Sequence, residues 1–485
     1  MSTLPRCSPE AQGASSEGIL AFIDGVEAAG LELHSLMVLR RGAVVAEGWW
    51  TPYGPDVPHV LYSLSKSFAS TAAGFAVTEG RFALDDAVIS FFPDDLPAEV
   101  SDNLRAMRVR DLLTMSTGHT TEPVVRTAPE GNWPRQFPAA TVEKKPGTHF
   151  LYNSAATYMV SAIVEKTTGQ RLLDYLTPRL LEPLGITGAI WETDPRGVAI
   201  GGWGLNVKTE DIARFGQLYL QKGVWNGVRL LPEEWIDQAT SKQVSNGSGP
   251  NNDWAQGYGF QFWRCRHGAY RGDGAFGQFC IVMPKQEAVV AITSGVGDMG
   301  AVLNLVWQHL LPAMKNKSEL PENPAAHDRL TARLAGLAIP APQGAASSPV
   351  AARVSGGTYR FGANDLRIAS VTLDFAGDSC HLTFTDADGA THSVDGGLGR
   401  WQNGTTTFLR RNVWPILPPR DTCRSALYGA WPDANTLVCK LCLYETPFGP
   451  TLTFRFDGMD RLTLDVRGSI GFGPTERPLL EGTRQ

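Results

Sequence analysis

Apolar residues recur at helical spacing at Ile19, Phe22, Ile23 and Val26, which predicts an amphipathic helix over residues 18–29. Two runs rich in branched aliphatics follow at 35–40 and 43–48, and Arg41-Gly42 between them predicts a β-hairpin. From about residue 60 to 240 the pattern is mostly helical, broken by loops rich in Pro, Gly and Trp. Strand character returns at 258–266, 278–283 and 288–293, before a predicted helix over 302–311. Strands on both sides of a helical middle predict an α+β fold, with the N-terminal hairpin pairing the late strands in one antiparallel sheet and the helical segment packed beside it.

The texture changes after Asn316. Residues 318–326 are polar and proline-bearing, and 339–350 (IPAPQGAASSPV) has the composition of a linker. Short alternating runs then follow at 370–375, 381–385, 405–410, 437–444, 451–456 and 461–466. The expected organisation is a first domain over 1–315, a linker over 316–350, and an all-β domain, sandwich or barrel, over 351–485. A lid, a dimer surface and structural support are all open roles for the last.

Composition narrows the field. The 485 residues are 43% hydrophobic, enough for a full core, and carry a formal charge of −6 with a pI near 5.9. No basic stripe or charged tail suggests nucleic acid or an anionic membrane as partner. The N-terminus lacks the basic start and apolar run of a secretory signal, and no stretch approaches a membrane span. Seven scattered cysteines suit free thiols, so a cytoplasmic address is expected.

The sharpest chemistry lies in residues 59–84, HVLYSLSKSFASTAAGFAVTEGRFAL, which read as a helix entered at Ser63 and stopped near Gly80, with Ala72, Phe75 and Ala76 as a buried stripe. Ser63 and Lys66, three apart, would share one helical face with β-carbons roughly 5–6 Å apart. A serine hydroxyl needs a neighbour to take its proton, and a lysine whose pKa is lowered by burial can do so. Ser63 is the candidate nucleophile and Lys66 its activator; Ser65 and Ser67 crowd the assignment, but only Ser63 stands three residues before the lysine. The structural alternative is a helix cap beside a solvated lysine.

With Thr78-Glu79-Gly80-Arg81-Phe82-Ala83-Leu84-Asp85-Asp86 following, this stretch resembles the serine β-lactamase and penicillin-binding-protein superfamily, especially its class C-like and esterase branch. The resemblance implies a β-lactamase-like fold: an antiparallel sheet flanked by helices, plus a helical insertion. Pro146-Gly147-Thr148-His149-Phe150-Leu151-Tyr152-Asn153-Ser154 is similar to the family's second motif and puts Tyr152 at its catalytic tyrosine. A phenol suits that work if Lys66 lowers its pKa or shares its proton. Asn153-Ser154 stands where Ser-Asn is usual, and Tyr-x-Ser resembles the branch of 6-aminohexanoate-dimer hydrolases and esterases, with Ser154 as a substrate contact.

The third motif is expected in the glycine-rich strand that begins at Tyr270. Asp273-Gly274-Ala275 fall near the family's Lys-Thr-Gly, whose lysine and threonine are absent, which argues against efficient β-lactam hydrolysis. The backbone N–H groups of Ser63 and Ala275 are the candidate oxyanion hole, and Asp273 and Gly274 candidate substrate contacts. Arg110 to Gly118, Gly201-Gly202-Trp203-Gly204-Leu205 and Asp211 to Gly216 extend the likeness, which covers about residues 10–312. The loop 119–137 should border the cleft, with Trp133, Arg126 and Glu122 as further contacts.

Other signals fall away. Gly272, Gly274 and Gly277 spell a dinucleotide fingerprint, but a strand follows where a helix should begin. Cys439 and Cys442 form a lone C-x-x-C in a strand-like run, so neither zinc nor any other cofactor is expected. The expectation is a cofactor-independent serine hydrolase forming an acyl-enzyme with an ester or small linear amide, compatible with a homo-oligomer. A β-lactamase or D-alanyl peptidase, and a non-catalytic sensor that kept the fold, are the alternatives.

Overall fold

The computed structural model describes residues 4–408 and 421–485. Helix α1 (Ser16–Ala28) is capped by Ser15 and buries Ile19, Phe22, Ile23 and Val26 as one stripe. Strands β1 (Leu33–Arg40) and β2 (Ala43–Trp49) form the predicted hairpin. Its turn residues Arg41 and Gly42 have φ of 50° and 82°, the left-handed pair a two-residue hairpin turn needs.

Next comes α2 (Ser65–Thr78), buried along most of its length. A 3-10 turn, Tyr62–Leu64, precedes it, so Ser63 stands on that turn and not inside the helix. Gly80, at φ 68°, follows the helix end. Helices α3 (Ser154–Thr168) and α4 (Thr209–Leu220) complete the frame of the helical region. Strands β3 (Tyr270–Gly274), β4 (Gln278–Met283) and β5 (Ala288–Ser294) return to the sheet, whose order is β2-β1-β5-β4-β3 with Trp263–Arg264 at the far edge.

Both faces of that sheet are covered. On β1, Leu36 and Val38 pack toward α1 and the helices after residue 299, while Met37 and Leu39 face α4 and the core around α2. This is why β1 is buried throughout and does not alternate. Fully burying each such side chain is worth about 1.5–3 kcal/mol.

The segment expected as a linker holds a helix, α5 (Pro324–Ala335), capped by Asn323. Leu334 and the following Leu337 pack against Gly48, and the backbones of Thr51, Leu337 and Ile339 bond to one another. Beyond it, among the described residues, ten strands from Gly357–Phe361 to Leu480–Arg484 form an antiparallel sheet. A short parallel pairing, Gly397 with Tyr428 and Leu398 with Gly429, closes it into a barrel. Alternate side chains such as Leu452, Phe454, Leu462 and Leu464 fill the interior. Of the strand expected at 405–410, residues 409 and 410 lie outside the described residues. The barrel core is continuous with Val60, Tyr62 and Phe276 of the first fold.

Candidate active site

Three segments converge on Ser63. The side chains of Ser65 and Ser67 are committed elsewhere: Ser65 accepts from the Leu205 N–H at 3.1 Å, and Ser67 donates to the Gln261 carbonyl at 2.8 Å. Lys66 Nζ lies 3.0 Å from Ser63 Oγ, 3.1 Å from Ser154 Oγ and 2.7 Å from the Gly202 carbonyl. The lysine is buried, and the loss of water lowers its pKa from 10.5 to about 7; the charges of Glu122 and Asp273 partly offset that fall.

Tyr152 reaches the same point from the turn before α3. Its ring stacks on Trp263 at 5.2 Å, and its hydroxyl hydrogen-bonds Ser63. Lys66 Nζ stands 4.9 Å from the centre of the ring. The phenol departs from the sequence expectation: burial, reinforced by the charge of Asp273, raises its pKa well above 10, and the hydrogen bond with Ser63 opposes this only in part. Tyr152 is therefore a neutral hydroxyl at physiological pH. Asn153 points inward and caps α3 by accepting from the Ala156 N–H at 3.1 Å, which frees Ser154 to face Lys66.

Glycines allow the close approach. A Cβ on Gly274 would stand 1.9 Å from the Leu61 carbonyl and 3.1 Å from the Ser63 nitrogen, and one on Gly272 would stand 2.4 Å from Leu64. Strand β3 thus lies directly on the turn that carries Ser63, and Ala275 follows at its end. A cleft of about 300 Å³ opens here, with Ser63, Ser154, Ala275, Glu122, Arg126 and Trp203 among its lining residues. Glu122 accepts from the Ser154 N–H at 2.6 Å, and the Arg126 guanidinium lies 4.1 Å from the Trp203 ring.

Two expected contacts sit elsewhere. Asp273 does not line the cleft but is held in a buried ion pair with Arg271 at 2.8 Å, because β3 alternates and Arg271 occupies the same face. Trp133, 5% exposed, lies a layer behind the cleft against Tyr158 and Trp203. Gly274 serves the backbone approach. The structure adds Gly202, whose carbonyl holds Lys66; a Cβ on its neighbour Gly201 would stand 2.8 Å from Ser161. It also adds Trp203 itself. Both lie in the Gly201 to Leu205 motif, so the signal was present in the sequence, but nothing there tied it to the lysine. Among the described residues, no group of His, Cys, Asp and Glu is arranged to hold a metal ion, and no helix is long and apolar enough to cross a membrane.

An antiparallel sheet covered on both sides by helices, with a serine and a buried lysine at the head of its central helix, defines the β-lactamase-like class of fold. Residues 23–303 match the Beta-lactamase family model, and the chain belongs to that family. It is 26% identical over 286 residues to the 6-aminohexanoate-dimer hydrolase of Paenarthrobacter ureafaciens, covering 54% of this chain and 73% of that one. Among solved structures, a Bacillus anthracis protein provisionally named a 6-aminohexanoate-dimer hydrolase aligns at TM-score 0.53 and 19% identity, over 66% of this chain and 89% of that one. The structure of SurE with D-Leu aligns at TM-score 0.50 and 18% identity, over 90% of this chain and 96% of that one, so this likeness of fold takes in most of the chain.

Proposed function

We infer that this protein is a serine hydrolase of the S-x-x-K type that cleaves esters or small linear amides through an acyl-enzyme. The observation that carries the reading is Lys66 Nζ at 3.0 Å from Ser63 Oγ in a buried site that brings its pKa to about 7. A lysine so placed is neutral in a large fraction of molecules near neutral pH and can take the serine proton.

Ser63 Oγ then attacks the substrate carbonyl, and the Ser63 and Ala275 N–H groups hold the oxyanion. Tyr152, a neutral phenol, gives its proton to the departing alkoxide or amine and is reprotonated from the Lys66 ammonium. This makes Lys66 the base and Tyr152 the proton carrier. Water repeats the sequence on the acyl-enzyme and releases the acid. The substrate preference rests on Tyr-x-Ser, on similarity to an aminohexanoate-dimer hydrolase, and on strand β3, where Asp273, paired with Arg271, stands in place of a lysine and offers no cation to a β-lactam carboxylate.

The test is intact-mass analysis after a fluorophosphonate probe, beside p-nitrophenyl acetate and butyrate hydrolysis, on the wild type and Ser63→Ala. One adduct and ester turnover, both lost in the variant, are expected. A wild type with neither, or a variant with both, overturns the assignment.

A further inference from the structure

The barrel takes part in the cleft. Its loop 468–475 carries Phe472 into the wall beside Ser63 and Ala275. Phe472 is 62% exposed although its ring lies 4.7 Å from that of Phe276 and 5.8 Å from that of Tyr62. Val124, 65% exposed, lines the same cleft. Two of the most exposed large apolar side chains among the described residues therefore border one cavity, where an apolar ligand would remove both from water.

The loop is fastened to the reacting strands. Tyr62 and Phe276 flank Ser63 and Ala275 in sequence, and both hold left-handed backbone, at φ 46° and 65°, which side chains larger than glycine adopt only under constraint. Their rings meet edge to face at 5.6 Å, and Phe276 also meets Phe448 of the barrel at 5.8 Å. The Val60 N–H donates to the Glu445 carbonyl at 2.9 Å, and the Gly449 N–H to Ser469 Oγ at 2.9 Å. A continuous path thus runs from the turn that carries Ser63, through residues 445–449, to the Phe472 loop.

We propose that Phe472 is a specificity-determining residue and that, with Val124 and Trp203, it forms the wall that receives an apolar acyl arm. This rests on the serine-hydrolase reading above. The leaving group must face the proton carrier Tyr152, which stands in the other cluster of rings with Tyr258 and Trp263; the acyl arm, on the opposite side of the carbonyl, then runs toward Phe472.

The experiment compares kcat and KM for p-nitrophenyl acetate and p-nitrophenyl octanoate in the wild type, Phe472→Ala and Phe472→Leu. In Phe472→Ala, kcat/KM for the octanoate should fall about tenfold through KM, the acetate value should stay within about twofold, and Phe472→Leu should recover most of the loss. An unchanged octanoate-to-acetate ratio in Phe472→Ala, or an equal loss on both esters with kcat carrying it, overturns the proposal. Ester turnover that survives Ser63→Ala overturns the catalytic reading instead, so the two failures are told apart.

Discussion

Gly274 lies so close to Leu61 that a Cβ on the glycine would stand 1.9 Å from the leucine carbonyl oxygen. This contact sets the distance between β3 and the turn bearing Ser63, and with it the spacing of the two N–H groups assigned to the oxyanion. Gly274→Ala must push the strand away. Stability should fall by about 1–3 kcal/mol, and kcat should fall further than the loss of folded protein explains. Denaturant unfolding beside active-site titration with a fluorophosphonate separates the two; a variant with wild-type kcat per titrated site would show that the spacing is not set here.

In the proposed mechanism Lys66 sets the pH dependence: the base must be neutral, so kcat/KM should rise with pH and reach half its plateau near pH 7, the value burial imposes. Glu122 raises the lysine's pKa by its charge, so Glu122→Gln should move this limb to lower pH, by less than about one unit. Stability follows the same group. Between pH about 7 and 10.5 the unfolded chain holds a proton that the folded lysine does not, so the cost of burying Lys66 is full below 7 and fades toward 10.5. Lys66→Met should be inactive and more stable than the wild type at pH 6, with the gain shrinking by pH 10. A pH series of thermal unfolding checks the sign.

Tyr152 should be needed for proton transfer and dispensable for folding, because its ring packs on Trp263 without help from the hydroxyl. Tyr152→Phe should lower kcat by about 10²–10⁴-fold with little change in melting temperature. Single-turnover cleavage of an alkyl ester or a linear amide, whose alkoxide or amine needs the proton that p-nitrophenolate does not, reports that step; an unaltered acylation rate on such a substrate would remove the hydroxyl from the mechanism.

Arg271 is wholly buried and pairs with Asp273 at 2.8 Å, so removing one partner strands the other charge. Arg271→Leu should cost about 3–5 kcal/mol, and the double change Arg271→Leu with Asp273→Leu much less. Urea unfolding of Arg271→Leu, Asp273→Leu and the double variant gives the comparison; a double loss equal to the sum of the two single losses would show that the pair is not coupled.

Periodicity and motif spacing alone determined a large part of this protein. The apolar stripe of α1, the Arg41-Gly42 hairpin and the pairing of β1 with a late strand follow from side-chain patterns whose physics is local or depends on a single buried face. So does the proximity of Ser63 to Lys66, which needs only one turn of chain. Placing Tyr152 and Ala275 beside them rested on resemblance to a family, since no spacing rule brings residues about ninety and two hundred positions away to one point.

The tertiary structure decided the rest. It placed Asp273 against Arg271 and Trp133 behind Trp203, because strand alternation and layer depth are set by partners distant in sequence. Burial, not identity, made Lys66 a weak base and pushed the Tyr152 phenol above its ordinary pKa. Composition made residues 316–350 a linker, yet they carry a helix whose neighbour Leu337 docks on Gly48, an association that rests on shape in two remote segments. Phe472 reads in the sequence as one aromatic among glycines and prolines. Only the closure of the barrel and its seating on Tyr62 and Phe276 bring that ring to the cleft, because contacts between separate elements depend on packed surfaces that no local pattern encodes.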